Sequence, residues 1–86
     1  MQDSYIVYIL ISRKDSNLYV GCTSSLKERI KKHLSGQVPS TKNRRPLDLI
    51  YFEVIKGKDI AFNKERYLKS LYSAYFKQNL KKLNLP

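Results

Sequence analysis

Residues 5–11, YIVYILI, and 18–22, LYVGC, are two short stretches of β-branched, aliphatic and aromatic residues. The segment between them, RKDSN at 13–17, is polar and contains residues that favour turns. The sequence therefore predicts a β-hairpin at the start of the chain. Tyr8 and Tyr19 lie inside these strands, where a core is usually built from purely apolar side chains, so their hydroxyl groups need an explanation.

Strand alternation suggests how the two tyrosines are arranged. Tyr8 shares a face with Ile6 and Leu10, and Tyr19 shares a face with Gly21. The tyrosines can therefore meet across the hairpin. Taken alone, both are also compatible with ordinary packing in an amphipathic strand.

A helix is predicted directly after the hairpin. Ser25 and Glu28 form a capping-box pattern at its start, and Gly36 marks its end. Arg29 and His33 lie one turn apart on one edge of the apolar stripe, where a helix borders a sheet; a solvated helix edge is the alternative for both. The apolar positions at helical spacing are Leu26, Ile30 and Leu34.

The rest of the chain predicts a surface loop, a third strand and further helix. GQVPSTKNRRP at 36–46 has turn residues and no period, and LDLIYFEVI at 47–55 has the composition of a strand. A second helix begins near Asp59, and the stretch 74–83 continues it or forms a third. The predicted order is β-β-α-β-α-α in one domain over 1–86, an α/β (α+β) fold with a three-stranded, mainly antiparallel sheet. The apolar face of the second helix is predicted to contain Ile60, Tyr67, Leu68, Leu71 and Tyr75.

Charge points to the kind of partner. The 86 residues include 17 Lys and Arg against seven Asp and Glu, a formal net charge of +10. The basic residues occur throughout the chain, so the charge belongs to the folded surface rather than to a tail. Such an excess predicts a polyanionic partner, with nucleic acid ahead of an acidic membrane surface.

Cysteine and histidine usage restricts the class of protein. Cys22 and His33 are the only residues of their types, which excludes a disulfide framework and a closed zinc site with four Cys or His ligands. A reducing cytoplasm fits this composition. The N-terminal apolar run follows Asp3, is too short to span a bilayer and lacks the basic start of a signal peptide, so no membrane association is expected.

Two strand tyrosines, an arginine and histidine on one helix and a later glutamate suit phosphodiester hydrolysis. Their order resembles the GIY-YIG nuclease superfamily, and especially its small single-domain members that are similar to the endonuclease domain of the DNA excision nuclease. The resemblance extends from about Tyr5 to Lys77. The matching residues are Val7-Tyr8, Tyr19-Val20-Gly21, Arg29, His33 and the segment KERYLK at 64–69.

The resemblance implies a role for each matched residue and a function in DNA repair or recombination. Tyr19 would act as general base, with Tyr8 supporting it by hydrogen bonding, and Arg29 would stabilise the scissile phosphate. His33 would assist proton transfer. Glu65 would be the sole protein ligand of a hydrated Mg²⁺ or Mn²⁺. Alternatively, Glu65 only forms a helical ion pair with Lys69. Asp48 and Glu53 are the rival candidates for the metal ligand.

The sequence departs from the family pattern at two informative positions. Ile6 stands where the first family tripeptide has glycine, which adds a side chain near the tyrosine strand. Cys22 stands where the repair branch has lysine, so one possible activator of the tyrosine is missing, and Cys22 itself is expected to be a small buried residue. A phenol normally ionises near pH 10, so a tyrosine base needs the cation, Arg29 or both to favour its ionised form.

DNA, whether duplex, branched or damaged, is the expected partner, and RNA is not excluded. The residues predicted to contact nucleic acid are Lys27, Lys32, Lys42, Arg44, Arg45 and Asn79. Two other functions remain open from sequence: a basic nucleic-acid-binding module that keeps the fold without cleaving, and an adaptor that docks on RNA or an acidic protein.

Overall fold

The computed structural model describes residues 3–72. Its elements are β1 (Ser4–Ser12), β2 (Leu18–Thr23), α1 (Leu26–Leu34), a short 3₁₀ helix (Lys42–Arg44), β3 (Leu47–Lys56) and α2 (Lys58–Tyr72). The strands form one antiparallel sheet in the order β2-β1-β3. The predicted α+β fold with a small three-stranded sheet is confirmed, and the helical stretch predicted at 74–83 lies outside the described residues.

The register of the central strand β1 brings both tyrosines onto one face of the sheet. Tyr8 pairs with Gly21, and Leu10 pairs with Tyr19. Paired residues share a face, as do residues two apart along a strand, so Tyr8 and Tyr19 are diagonal neighbours. Their ring centroids lie 6.4 Å apart, which confirms the predicted meeting across the hairpin.

The first of two cores lies between the sheet and α2. Val7 and Ile9 of β1 pack with Val20 of β2 and with Ala61 and Leu68 of α2, and all five residues are buried. Burial of each large aliphatic side chain contributes about 1.5–3 kcal/mol to folding. This apolar cluster therefore fixes α2 against the sheet.

The second core lies on the opposite face of β1. Tyr8 and Leu10 are buried there, and Leu26 and Ile30 of α1 pack against them. Leu34, the third apolar position predicted for this helix, is 53% exposed because α1 ends at that residue. The face that carries Tyr8 is thus covered by α1, which also carries the predicted site residues Arg29 and His33.

The apolar face predicted for α2 is partly wrong. Leu68 is buried and Leu71 packs against the first core, as predicted, and Tyr75 lies outside the described residues. Ile60 and Tyr67, however, are 62% and 58% exposed, and fully buried Ala61 takes the inward position. Ala61 and Leu68 are two helical turns apart and form one stripe, whereas their bulkier neighbours point about 100° away. The small side chain of Ala61 leaves room for the helix close to the sheet.

The start of α1 differs from the predicted capping box. Ser25 is the N-cap residue, but its side chain makes no capping hydrogen bond. Instead, the backbone N–H of Ser25 donates to Oγ1 of Thr23 at 3.1 Å. The connection from strand to helix is therefore closed by the threonine at the end of β2.

The segment 36–46 is not wholly a surface loop. Val38 and Thr41 are 5% and 0% exposed. The backbone N–H groups of Thr41 and Lys42 both donate to the carbonyl oxygen of Val38, at 3.1 and 2.9 Å, which folds the segment into a compact turn. This turn places Thr41 under α1.

Exposed apolar surface is concentrated on β3, which forms one edge of the sheet within the described part of the chain. Its exposed apolar residues are Leu49, Tyr51, Phe52 and Val54, from 40% to 60% exposed. A β-bulge near Ile50 shifts the pairing with β1 in the middle of this strand. No helix within residues 3–72 is both long and apolar enough to cross a membrane.

Candidate active site

The candidate site begins with the close approach of Tyr8 to Gly21. The tyrosine ring lies across its cross-strand neighbour, and a Cβ atom at position 21 would overlap the ring carbons and hydroxyl of Tyr8. Glycine is therefore required on β2 to let the phenol reach over this strand. The hydroxyl of Tyr8 is carried towards the β2 edge of the sheet, where Tyr19 lies.

His33 joins this tyrosine to the loop after α1. Its Nε2 atom lies 2.9 Å from the hydroxyl of Tyr8, and its Nδ1 atom lies 2.8 Å from Oγ1 of Thr41. The imidazole also packs edge-on against Tyr8 and Tyr19, at centroid distances of 5.7 and 5.1 Å. His33 and Thr41 are both 0% exposed, so the alternative of a solvated helix edge is wrong for His33.

The surroundings of His33 keep it neutral. Burial lowers the pKa of His33 to about 4, and the nearby positive charge of Arg29 acts in the same direction. At neutral pH the ring therefore has one N–H donor and one acceptor nitrogen. Both nitrogens have hydrogen-bond partners within the protein.

Arg29 connects the two tyrosines. Its half-buried side chain interacts with both Tyr8 and Tyr19, and the interaction with Tyr8 contributes most to raising the pKa of Arg29. Burial raises the pKa of Tyr8 to about 12, although the hydrogen bond with Arg29 opposes this change. Tyr8 therefore keeps its proton at neutral pH and accepts hydrogen bonds as a neutral phenol.

Glu65 approaches this group of residues from α2. Its side chain is 19% exposed, and its Oε2 atom lies 3.2 Å from Nζ of Lys69. The predicted ion pair with Lys69 is thus present, and it leaves the second carboxylate oxygen, Oε1, outside that pair. Burial, followed by the negative charge of Glu65, raises the pKa of the Cys22 thiol, and the same charge contributes to the raised pKa of Tyr8. Cys22 is only partly buried, contrary to the prediction.

The two rival carboxylates interact elsewhere. Asp48 accepts two hydrogen bonds from Arg13, at 2.7 and 2.9 Å. Glu53 accepts a hydrogen bond from Tyr51 at 2.7 Å and lies 3.5 Å from Lys64. Within the described residues, neither contributes to the raised pKa of Tyr8, whereas Glu65 does.

The donor set restricts which metal ion the site can hold. Within residues 3–72, no three His, Cys, Asp or Glu side chains are grouped to coordinate an ion. A single carboxylate from Glu65, beside phenol oxygens, suits a hard divalent cation that keeps several water ligands, as Mg²⁺ does. It does not suit a structural zinc ion, which needs four nitrogen or sulfur ligands. The residues present therefore fit a hydrated magnesium or manganese ion.

The basic residues predicted to contact nucleic acid lie in different environments. Lys27 and Lys32 are exposed on α1, and Lys42 is exposed in the 3₁₀ helix. Arg44 lies 3.8 Å from the carboxylate of Asp15. Three of the chain's basic side chains, those of Lys14, Lys42 and Arg45, line an open cavity beside the start of β3, and none of the five predicted catalytic residues lines it.

Arg45 also has a structural function that the sequence did not indicate. Its guanidinium donates to the carbonyl oxygens of Lys42 and Leu34, at 3.1 and 3.4 Å. The carbonyl of Leu34 is at the C-terminus of α1, where cations interact favourably with the helix dipole. Arg45 therefore links the end of this helix to the loop.

The structure brings together four of the five residues predicted to be catalytic, adds Thr41 to them, and places Glu65 where its charge acts on Tyr8. Thr41 lies in a polar segment without periodicity, so no local pattern distinguished it from its exposed neighbours. The only available signal was a β-branched residue within a run of turn-forming residues. Asn79, predicted as a nucleic-acid contact, lies outside the described residues.

Fold and site together define a small basic α+β domain in which two strand tyrosines meet an arginine, a histidine and a glutamate from two helices. The chain belongs to the GIY-YIG catalytic domain family, whose model matches residues 4–80. Membership of this family places it among nuclease domains.

Several small relatives support the same assignment. A UPF0213 protein of Clostridium perfringens is 44% identical over 66 residues, which covers 76% of this chain and 70% of the relative. A UPF0213 protein of Haloquadratum walsbyi is 33% identical and covers 93% and 89% of the two chains. A third, from Staphylococcus saprophyticus, is 38% identical and covers 79% and 83%. No solved structure matches significantly.

Proposed function

We propose that this chain is a divalent-metal-dependent endonuclease that hydrolyses phosphodiester bonds in DNA. The observation that supports this most directly is that Arg29 of α1 interacts with both Tyr8 and Tyr19, from two different strands. The charge of Glu65 reaches Tyr8 from α2. Packing alone does not require four elements to bring complementary polar groups to one point.

Tyr19 is the proposed general base. The pKa of Tyr8 is raised to about 12, so this residue stays protonated at neutral pH and cannot accept a proton from water. Tyr8 is also fully buried. Tyr19 is partly exposed, interacts with Arg29 and stacks edge-on with the neutral ring of His33. Arg29 interacts with this phenol and is therefore placed to assist Tyr19.

Arg29 has a second role towards the substrate. Negative charge accumulates on the phosphate as water attacks, and a guanidinium stabilises it through paired, charge-assisted hydrogen bonds. The side chain is half-buried, so solvent screens it less than it screens the exposed lysines of α1. Arg29 therefore stabilises the transition state, whereas those lysines contribute to binding.

Glu65 would hold the divalent ion through its carboxylate. When bound, such an ion polarises the phosphate and stabilises the developing negative charge. Lys69 orients Glu65 by their 3.2 Å ion pair. Tyr8 and His33 support the site by fixing the positions of the Tyr19 phenol and the Arg29 guanidinium.

DNA binding would come from the basic surface around this site. A formal net charge of +10 attracts the phosphate backbone without reading base sequence. We therefore propose weak, sequence-tolerant binding to duplex, branched or damaged DNA. The family resemblance and the single cysteine favour DNA repair or recombination in a reducing cytoplasm as the setting.

A nicking assay tests the proposal. Supercoiled, single-stranded and branched DNA would be incubated with the protein in Mg²⁺ or Mn²⁺. Tyr19→Phe and Glu65→Gln, which change single polar groups with little change in shape, should each lower the cleavage rate roughly 10²- to 10⁴-fold. Chelation of the metal should abolish cleavage by the wild type.

Matched variants control for general effects. Tyr67→Phe removes the hydroxyl of an exposed tyrosine, and Glu28→Gln neutralises an exposed carboxylate on α1; both should cleave at the wild-type rate. If the wild type binds all three DNA forms and cuts none, the chain is a non-catalytic binding module. Equal cleavage by wild type and Glu65→Gln would show that the metal assignment is wrong.

A further inference from the structure

A buried hydrogen-bonded chain runs from Tyr8 through His33 to Thr41. The hydroxyl of Tyr8 lies 2.9 Å from Nε2 of His33, and Oγ1 of Thr41 lies 2.8 Å from Nδ1. All three residues are 0% exposed. The proposed hydrolysis uses Tyr8 and His33, but it gives no function to Thr41.

The number of protons limits the possible directions of the hydrogen bonds between Tyr8, His33 and Thr41. A neutral imidazole has one N–H and one acceptor nitrogen, and each hydroxyl has one proton. Two hydrogen bonds therefore share three protons, and one of the two hydroxyls must direct its proton elsewhere. The direction of the whole chain depends on which end has another acceptor.

The two ends differ in their surroundings. Within residues 3–72, the side chain of Thr41 has one hydrogen bond, to Nδ1 of His33, so its proton has no other described acceptor. A buried hydroxyl proton without an acceptor loses its hydration and gains nothing in return. The hydroxyl of Tyr8, by contrast, interacts with Arg29 and lies in the field of Glu65, beside the partly exposed Tyr19. Two of these neighbours, Tyr19 and Glu65, have oxygen atoms that can accept a hydrogen bond, so the groups around Tyr8 include acceptors.

We propose that Thr41 is a positioning residue: its hydroxyl donates to Nδ1 of His33, holds the ring proton on Nε2, and so directs the proton of Tyr8 towards the reaction site. The N–H of Nε2 then donates to the oxygen of Tyr8. This hydrogen bond and the interaction with Arg29 occupy the acceptor positions of the Tyr8 oxygen. The Tyr8 proton therefore points towards Tyr19 and the phosphate.

The consequence for catalysis rests on the proposed function, whereas the tautomer of His33 does not. In the reaction, Tyr8 would donate a hydrogen bond to a phosphate oxygen or to the base, Tyr19. With the opposite tautomer, Tyr8 would donate to His33 and present only lone pairs to the negatively charged substrate. Thr41 would therefore affect the rate of cleavage without touching DNA.

The single histidine allows a direct test. In protein labelled with ¹⁵N at histidine, nitrogen NMR gives one set of ring signals, and these report which nitrogen carries the proton. We expect Nε2 to be protonated and Nδ1 unprotonated in the wild type at neutral pH, and the same pattern in Thr41→Ser. Thr41→Val, which keeps the shape and removes the donor, should shift protonation towards Nδ1. A proton on Nδ1 in the wild type, or an unchanged spectrum in Thr41→Val, would overturn the proposal.

Kinetics give the second measurement. At metal sites, loss of the group that fixes the tautomer and orientation of a ligating histidine costs roughly ten- to a hundred-fold in activity. We expect an effect of this size for Thr41→Val, which should lower kcat by this factor with KM nearly unchanged. Thr41→Ser, which keeps the hydroxyl group, should have the kcat of the wild type. Ser40→Ala, which removes the exposed neighbouring hydroxyl, should leave kcat unchanged. If Thr41→Val does not fold, the spectra of the wild type and Thr41→Ser still decide the tautomer. The spectra also decide it if no DNA is cut, which separates failure of this proposal from failure of the proposed nuclease.

Discussion

The two faces of β1 differ in what they bury. One face presents Val7 and Ile9 to α2 and contains only apolar side chains in its core. The other presents Tyr8 and Leu10 to α1, and its core continues into the buried polar pair of His33 and Thr41. One strand of nine residues thus contributes alternately to a stabilising core and to a candidate site.

This difference shows how so small a domain can contain a buried polar network. A buried polar group costs free energy unless it is hydrogen-bonded. Among the described residues, no buried side-chain nitrogen or oxygen lacks a partner. The apolar face provides the packing, so we expect substitutions there to change stability and substitutions on the Tyr8 face to change activity.

The largest effect is expected for Gly21→Ala, at the contact between β2 and Tyr8. The added methyl group would overlap the Tyr8 ring and displace its hydroxyl. A displacement of about 1 Å in an active site can cost 10²-fold in rate, so we expect at least that loss of kcat in the nicking assay. Overpacking should also lower the free energy of unfolding by about 1–3 kcal/mol in urea titrations. Wild-type activity in this variant would contradict the importance of this contact.

Truncation on the opposite face should separate stability from activity. Val7 is 0% exposed and packs on α2. Val7→Ala should lower the free energy of unfolding by about 2 kcal/mol, measured by urea titration, because it leaves a cavity. Its kcat should match that of the wild type where both are folded. A large loss of kcat would show that the two faces of β1 are not independent. Leu10→Ala is the matched truncation on the Tyr8 face, and we expect it to lower kcat as well as the free energy of unfolding.

The buried histidine should make the Tyr8 face sensitive to acid. The pKa of His33 is lowered from its ordinary value of 6.5 to about 4 in the folded chain. Between these values the unfolded chain binds a proton that the folded chain does not bind. Protonation therefore favours unfolding, and the free energy of unfolding should decrease by at most about 1.4 kcal/mol per pH unit as the pH falls from 6.5 to 4.

His33→Gln provides the control for this pH dependence, because it removes the titrating group. The lowered pKa values of Asp48 and Glu53 make carboxylate protonation contribute to acid unfolding as well, below their usual range. The difference between wild type and variant between pH 5 and 7 isolates the histidine, because both proteins contain the same carboxylates and only the wild type contains the imidazole. Parallel curves in this range would show that His33 is not protected from protonation.

The smallest effect is expected on the solvent side of α1. Lys27 and Lys32 are exposed, and each contact with a phosphate contributes about one unit to the slope of log K against log salt concentration. The double variant Lys27→Gln and Lys32→Gln should therefore reduce that slope by about two and leave single-turnover cleavage at saturation unchanged. Lys56→Gln, at the end of β3, is the control. Equal slopes for the wild type and the double variant would show that these lysines do not contact DNA phosphates.

Periodicity in the sequence was sufficient to predict the sheet and the meeting of the tyrosines. Alternation along YIVYILI determines which side chains of β1 share a face, and the hairpin then places Tyr8 opposite β2. Helical spacing likewise predicted that Arg29 and His33 lie side by side at the sheet. These are local relations, and local sequence determines them.

The features that sequence did not predict depend on contacts between distant segments. Thr41 is buried because the turn that contains it folds under α1 and meets His33, eight residues earlier. Arg45 caps a helix that ends eleven residues before it. Helical spacing also placed Ile60 and Tyr67 on the core face of α2, whereas the structure exposes both and buries Ala61. The assignment of Glu65 came from the family resemblance, because its own surroundings give no local pattern.

The exposed strand β3 has a practical consequence for handling the protein. An edge strand with apolar side chains on its surface is a template for pairing with another copy. The net charge of +10 opposes such an encounter by mutual repulsion. High salt, or an amount of DNA that neutralises this charge, weakens the repulsion and favours association through the edge that β3 forms within residues 3–72. Concentrated stocks are therefore best kept at moderate ionic strength, and clouding on addition of DNA should be checked before it is interpreted as specific assembly.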